Sequence, residues 1–395
     1  MSQHKTIKNL AGEHFRNLSV AGLALMLGAC GSVSEKGNAD KLNELPAGYV
    51  DCPLRHEAYS VDTPLMDMLV SEQAVALLEA EAPELMKRMP PLFKATEAPS
   101  LSAITTIKQV AGLVRLPMTD AEFAALDEKL AQIEITEAIK ESRCARYDVE
   151  PQDVAIGDES RQILIFDKVN GFDHGEAVTA ATEAIQTMAA DAGWGVVVSD
   201  KGSIFTPELL ENFDVVVWNN VSGDVLTLRQ RQAFEDYMNK GGGFVGVHGS
   251  GGDFIYLWDW YLNELLGAQF IGHTMFPHYQ DAVINLEVSD NKISKGLNAS
   301  WTLHEEWYSF AENPRKTGAS VVATVDESTY KPIMGGLSLA MGDDHPIAWT
   351  RCVGEGRSYY TGIGHLPESY QSADNLELLK SALVWAMGDG ADSCN

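Results

Sequence analysis

Residues 241–251 read GGGFVGVHGSG, and this run constrains the fold of the chain more than any other. A glycine triplet gives way to four apolar-rich residues, Phe244 to Val247, which stop at His248. Such a run is a short buried strand that ends on an imidazole. In open α/β sheets, ligands sit beyond the carboxyl ends of parallel strands. A histidine delivered there is a candidate site residue, since glycines on both sides let a substrate approach the backbone. The spacing Gly246-x-His248-x-Ser250 has the shape of a nucleophile elbow with histidine in the nucleophile slot. The usual Ser or Cys is missing there, so the usual covalent chemistry is not expected.

The chain around this run alternates in period. Strand-like runs occupy residues 163–166, 195–199 and 214–218, then the run that ends at His248. Helical spacing fills 176–192, 207–212 and 228–240 between them. Later strands are expected at 282–288, 319–325, 346–351 and 357–362, and a closing helix at 375–387. Strands alternating with helices predict an α/β domain over about 160–390, with a doubly wound, mostly parallel sheet covered on both faces. No G-x-G-x-x-G follows the first strand and no Walker motif is present, so no nucleotide cofactor is expected.

Residues 47–155 have a different texture. Glycine nearly vanishes and Ala, Glu, Leu and Met dominate. Asp62-Thr63-Pro64 reads as a cap with proline at the first helical position, opening a helix to about Arg88, with a break near Pro83. A second helix is expected over 99–114. Thr119 and Glu122 form a capping box opening a third over about 121–133, and 134–143 reads as a fourth. A small all-helical module is therefore expected before the α/β domain, as a structural or docking appendage.

The N-terminus reads as a targeting segment. Lys5, Lys8 and Arg16 form a basic region, and residues 19–27 an apolar one too short to span a bilayer. It closes on Leu27-Gly28-Ala29-Cys30, which resembles a bacterial lipobox. The expectation is a lipoprotein signal peptide over 1–29, lipidated Cys30, and a polar tether over 30–46. That makes the chain an exported protein, anchored to a bacterial membrane (the outer one, facing periplasm or cell surface) rather than spanning it. Cys52, Cys144, Cys352 and Cys394 remain, an even count that suits two disulfides in an exported chain. Three pairings are open. Cys52–Cys144 with Cys352–Cys394 is favoured, since each closes one region on itself.

The formal net charge of −27 argues against nucleic acid, whose backbone demands a basic patch. A neutral sugar or small molecule is easier to reconcile with it. Oligomeric state is not legible.

Seven of the ten histidines lie beyond residue 60. His174 follows the first strand, Asn219 and Asn220 follow the third, His248 ends the fourth, and His365 follows the strand over 357–362. If those strands are parallel, these groups converge on one sheet edge. His278, His304 and His345 rank lower. The run His304-Glu305-Glu306-Trp307-Tyr308 adds two carboxylates, which point to opposite faces of an extended segment. One can face a pocket while the other faces solvent or a structural partner. A carboxylate among aromatics suits a general acid or base. Imidazole plus carboxylate also suits zinc or a similar divalent cation, though no local ligand motif is present. Trp258, Trp260, Tyr261, Trp307 and Tyr308 read as core residues or as stacking partners for a ring.

The ordered set of motifs over 162–388 resembles the ThuA-like family, named for trehalose utilisation. It comprises GGGFVGVHG, WDWYLNELLGAQFIGH ending at His273, EEWYSF, the Asn313-Pro314-Arg315 triplet, HPIAW from His345, and GRSYYTGIGH ending at His365. The resemblance implies a fold similar to class I glutamine amidotransferases (flavodoxin-like) without the catalytic cysteine. It places His174, His248, His273, Glu306, Arg357 and His365 on the family's pattern. Thr274 stands where proline is frequent, and Glu305 where aspartate is usual. The family is associated with sugar catabolism.

The resulting expectation is a protein acting on a sugar or oxidised (keto) glycoside, by acid–base chemistry leading to isomerisation, elimination or hydration. Glu306 is expected as base or acid, with His248 and His365 beside it. His248, His273 and Glu306 are the expected metal donors. His174, Asn219, Arg357, Trp307 and Tyr308 are expected to bind substrate. A non-catalytic carbohydrate-binding scaffold and a metal-dependent glycoside or ester hydrolase use the same pocket. Glutamine amidotransfer is disfavoured for want of an elbow cysteine.

Overall fold

A computed structural model of the chain describes residues 45–46, 48–287 and 293–388. The expected signal peptide, Cys30, nearly all of the tether, and Cys394 lie outside the described residues. Among the described residues no helix is long and apolar enough to cross a membrane.

The first hundred described residues form short helices. These are α1 (Leu65–Leu69), α2 (Glu72–Glu81), α3 (Pro83–Arg88), α4 (Ile107–Leu113), α5 (Asp120–Leu130) and α6 (Glu137–Cys144). The helix expected up to Arg88 breaks at Pro83, as expected, and also before Glu72. Ser71 caps α2 through the Ala74 amide, and Pro83 opens α3. Pro64 is the cap of α1 rather than its first helical residue. The helix expected over 99–114 shrinks to α4, because Thr106 and Gln109 form a reciprocal capping box that starts it late. Thr119 and Glu122 make the expected box at α5. Leu65, Met68, Leu78, Leu85, Ile107, Val110 and Leu130 share one apolar core.

Cys52 and Cys144 are disulfide-bonded across 92 residues, which ties the ends of this region together. Cys352 is also disulfide-bonded. Closing a loop of that length restricts the unfolded chain. Cys144→Ser is therefore expected to lower stability by roughly 2–5 kcal/mol, read as an earlier denaturant midpoint.

The helical region is pinned to the rest of the chain by buried polar contacts. Arg146, which makes two hydrogen bonds of 3.0 Å to Asp67 inside the helical region, sets the neighbouring Tyr147 for its contact across. Tyr147 donates to Asp224 at 2.8 Å, and Arg231 meets the other Asp224 oxygen at 2.6 Å. Gln109 donates to the Phe254 carbonyl at 3.1 Å.

The α/β region is a nine-stranded sheet. Its strands are β1 (Gln162–Phe166), β2 (Gly195–Ser199), β3 (Val215–Asn219), β4 (Gly243–Val247), β6 (Tyr279–Leu286), β7 (Ser300–Glu306), β9 (Ser320–Val325), β12 (Pro346–Val353) and β13 (Gly356–Thr361). Two small ribbons pair β5 (Phe270–His273) with β8 (Tyr308–Phe310) and β10 (Ile333–Met334) with β11 (Leu337–Ser338). The order is β2-β1-β3-β4-β13-β12-β9-β6-β7. β2, β1, β3, β4 and β13 pair in parallel, as expected. Beyond β13 every pairing is antiparallel.

Helices α7 (Glu176–Ala192), α8 (Pro207–Leu210), α9 (Leu228–Asn239) and α10 (Ala373–Ala386) pack on it. β1, β3 and β4 are buried at every residue, as strands covered on both faces must be. The alternation is visible at β3. Trp218 stacks on Phe234 of α9, while Asn219 bonds Val178 and Thr182 of α7.

Asp253 lies buried where the loop after β4 meets the loop after β3. It accepts from Ser222 Oγ and the Gly223 amide, both at 2.6 Å. Burial pushes its carboxyl from 3.8 up to about 7, against those two hydrogen bonds. The folded state therefore holds this proton more tightly than the unfolded chain does. The stability this contributes is complete below about pH 4 and is lost as pH rises through about 7. Thermal unfolding temperature is expected to fall over that window less steeply in Asp253→Asn than in the parent protein.

Candidate functional site

The parallel strands deliver their carboxyl ends to one edge, and the antiparallel extension brings β7 back to the same place. His248 is the first residue past β4. It adopts φ +40°, the left-handed region that L-residues with a side chain rarely occupy. Tyr360 donates to its carbonyl at 2.9 Å, and the Tyr308 ring stacks on its imidazole at 4.1 Å. The ring is fully buried. Its Nδ1–H donates to the Gly362 carbonyl at 2.7 Å, which leaves Nε2 facing inward with its lone pair. Gly249 is a close-approach glycine, since a Cβ there would lie 2.6 Å from the His174 ring.

Glu306, the last residue of β7, sits at the centre. One carboxylate oxygen, Oε2, is 3.3 Å from His248 Nε2 and 3.1 Å from His365 Nδ1. The other, Oε1, is 2.9 Å from His273 Nδ1 and in contact with His278 Nε2. His248 Nε2 and His365 Nδ1 are 3.2 Å apart. His365 Nε2 in turn meets the Tyr279 hydroxyl at 3.0 Å, and antiparallel register sets Tyr279 opposite Glu306. His174 stands edge-on to His248 and His365, with ring centroids at 4.9 and 5.0 Å. Its Nδ1 is buried without a hydrogen-bond partner.

The electrostatics follow from this crowding. Burial would push the Glu306 carboxyl up, but the four imidazoles gathered around it outweigh that and hold it well below the usual carboxylate range. Burial pulls His273 down, yet its bond to Glu306 leaves it raised. His174 is held well below the ordinary histidine value by burial, reinforced by His248 and His365. Two donor groups can each hold a cation: His174 with His248 and His365, and His273 with His278 and Glu306.

Glu305 faces the opposite way, as an extended segment requires, and its partner is structural. It accepts from the Glu306 amide at 2.7 Å, the Gly364 and Leu366 amides at 3.1 and 3.4 Å, and the Ser369 hydroxyl. Burial pushes its carboxyl up, against those bonds. It ties down the loop that carries His365.

The structure brings together His174, His248, His273, Glu306, His365 and Tyr308 from the expected set. Three expected substrate-binding residues lie elsewhere. Asn219 is buried against α7, its amide used up by Val178 and Thr182. Trp307 is fully buried and donates to the Gln280 carbonyl at 2.8 Å, so its ring packs in the core. Arg357 pairs with Gly243 at the start of β13, whereas the site lies past that strand's other end. The expected metal set is divided, because His248 and His273 face different oxygens of Glu306.

His278 and Tyr279 belong to the cluster although sequence reasoning ranked the first low and passed over the second. The FIGHTMFPHY run, two histidines five apart ahead of a strand, is the signal that was present. His304 pairs with Asp281 on the exposed face, and His345 is buried against Glu327 and the Tyr308 carbonyl.

The ThuA family model, described as trehalose utilisation, matches residues 162–386, more than half of the chain. A search of curated proteins returns no match. A ThuA-like protein of Bacteroides uniformis is similar at 24% identity and TM-score 0.52, covering 62% of this chain and 98% of its own. A ThuA-like protein of Parabacteroides merdae is similar at 16% identity and TM-score 0.43, covering 58% and 90%. A cytoplasmic protein of Salmonella typhimurium LT2 is similar at 14% identity and TM-score 0.38, covering 57% and 96%. With the family model spanning β1 to the end of α10, this chain belongs to the ThuA family of carbohydrate-utilisation proteins.

Proposed function

We propose that this protein acts on a sugar or an oxidised (keto) glycoside by moving a proton beside a carbonyl, leading to isomerisation, elimination or hydration. Family membership supports the carbohydrate. The observation that carries the chemistry is a line of polar contacts running from the buried Glu306 carboxylate through His365, at 3.1 Å, to the half-exposed Tyr279 hydroxyl, at 3.0 Å. Carboxylate, imidazole and hydroxyl in that order form a relay whose outer end meets the substrate. Glu306 orients His365 and neutralises charge on it. The proton leaving the substrate carbon passes to the Tyr279 oxygen as the Tyr279 proton passes to His365 Nε2. In this reading Glu306 is an anchor and not itself the base, since both its oxygens are engaged by imidazoles.

As an alternative to the relay, the donors also fit a divalent cation, which would take the Nδ1 lone pair of His365, put the ring proton on Nε2 and leave that nitrogen donating to Tyr279 rather than accepting from it. His248 Nε2, His365 Nδ1 and Glu306 Oε2 form a triangle with sides of 3.2, 3.1 and 3.3 Å. Three donors about 2.1 Å from one ion lie roughly 3.0–3.4 Å apart. The unpartnered Nδ1 of His174 borders the same group, and the Gly362 carbonyl fixes the His248 tautomer as ligand-orienting partners do. Zinc or a similar borderline cation suits imidazole and carboxylate. Held by His248, His365 and Glu306, such an ion would supply Lewis-acid polarisation of a substrate carbonyl oxygen.

Tyr279→Phe is expected to lower kcat on a keto-glycoside roughly 10²–10⁴-fold with folding and metal content unchanged. Full turnover in that variant would end the relay reading. Sugar affinity without product in the parent protein would favour a binding scaffold.

Export with a lipid anchor at Cys30 belongs to the same proposal. It is supported by the Cys52–Cys144 bond and the oxidised Cys352, which suit an oxidising compartment. Labelled palmitate is expected in the parent protein and absent from Cys30→Ser; equal label in both would remove the anchor.

A further inference from the structure

We propose that the histidine cluster holds two divalent cations rather than one, with the Glu306 carboxylate bridging them. The inference rests on the reading above that His248, His365 and Glu306 Oε2 bind a cation, and extends it to the other half of the cluster.

The distribution of donors carries it. Four imidazoles converge on one carboxylate, two on each oxygen: His248 and His365 at Oε2, His273 and His278 at Oε1. A single ion seated in the Oε2 triangle leaves His273 and His278 without a role. These two, with Glu306, form a complete donor group of their own. A carboxylate whose oxygens each face a pair of imidazoles is placed as bridging carboxylates are, between ions about 3.5–4 Å apart. Without cations, one negative charge is surrounded by four imidazoles, of which His248 has its only neutral-form N–H committed to Gly362. A second positive centre at Oε1 gives His273 and His278 a ligand role in place of competing for one acceptor.

The two halves differ in exposure, so the two ions differ in exchange. His248 is fully buried and His365 nearly so, whereas the His273 and His278 side chains are 22% and 32% exposed. His278 stacks on Tyr279 at 4.1 Å, which puts the second ion beside the residue that meets the substrate. The inner ion is tight and slow to exchange. The outer ion is weaker and lies on the substrate side.

The test uses the full mature chain without a polyhistidine tag, stripped with chelator. Zn²⁺ titration is followed by elemental analysis after gel filtration, and the Mn²⁺-loaded protein is examined by electron paramagnetic resonance. Two equivalents of Zn²⁺ with distinct affinities are expected, and a spin-coupled Mn²⁺ pair. His278→Ala is expected to keep the tight equivalent and lose both the weak one and the coupling. His273→Asn does the same, so the result does not depend on one variant folding, which circular dichroism checks. One equivalent in the parent protein, unchanged in His278→Ala, overturns the second ion and leaves the first. Two equivalents without spin coupling overturn the bridge. No bound metal in any form overturns both this inference and the cation reading beneath it.

Discussion

Glu306→Gln is expected to reduce turnover roughly 10³-fold or more while leaving the protein folded. The amide has the shape of the carboxylate, so the packing around β7 survives. Its charge does not survive, and one of its two oxygens becomes an NH₂ group aimed at imidazoles. His365 loses the anion that orients it, and the relay to Tyr279 loses its inner end. A cation held by Glu306 loses its only anionic donor, so metal content is expected to fall with activity. Steady-state kinetics on a keto-glycoside, alongside thermal unfolding and elemental analysis, check this. A variant that is fully active removes Glu306 from the chemistry. A variant that is inactive because it is unfolded contradicts the isosteric argument.

The neighbouring substitution Glu305→Ala is expected to do the reverse: a large loss of stability, with activity failing as a consequence. Glu305 is fully buried, and its removal leaves the Glu306, Gly364 and Leu366 amides and the Ser369 hydroxyl short of an acceptor. Each buried donor left unpaired costs about 1–3 kcal/mol, partly relieved where water fills the space. A total of about 3–5 kcal/mol is expected, lowering Tm by roughly 10 °C. The loop at 364–369 is released with it, so His365 moves away from Glu306 and kcat falls even below the new Tm. Glu305→Gln keeps one acceptor oxygen and is expected to lie between. An unchanged Tm in Glu305→Ala would show that the loop is held by other contacts, such as Tyr370 to the Gly364 carbonyl and Asn375 to the Ser369 carbonyl.

These two adjacent carboxylates show how much of the site was legible beforehand. Alternation along an extended segment requires that one of them face a pocket and the other a partner. Nothing local says which. The choice is made by β6, which sets Tyr279 opposite Glu306, and by the loop after β13, whose amides reach Glu305. The metal donors were half legible for the same reason. His248 and His365 follow parallel strands and could be placed on one edge from the strand pattern alone. His278 precedes an antiparallel strand, and its arrival depends on how β6 and β7 fold back. Asn219, expected just past the third strand, is in fact its last residue and turns toward α7, which consumes its amide.

The local sequence by itself determined the elements and the edge. Glycine flanking, short apolar runs and helical spacing are properties of neighbouring residues, so they specify β4, the φ-strained His248 turn and the parallel core. Which imidazoles share which oxygen of Glu306 is set by pairings between segments 28 to 59 residues apart. Those pairings arise from burial of the whole sheet, and no short window of sequence carries them. Only the tertiary structure therefore decided that five histidines and one carboxylate form one site, and that Arg357 and Trp307 stand outside it.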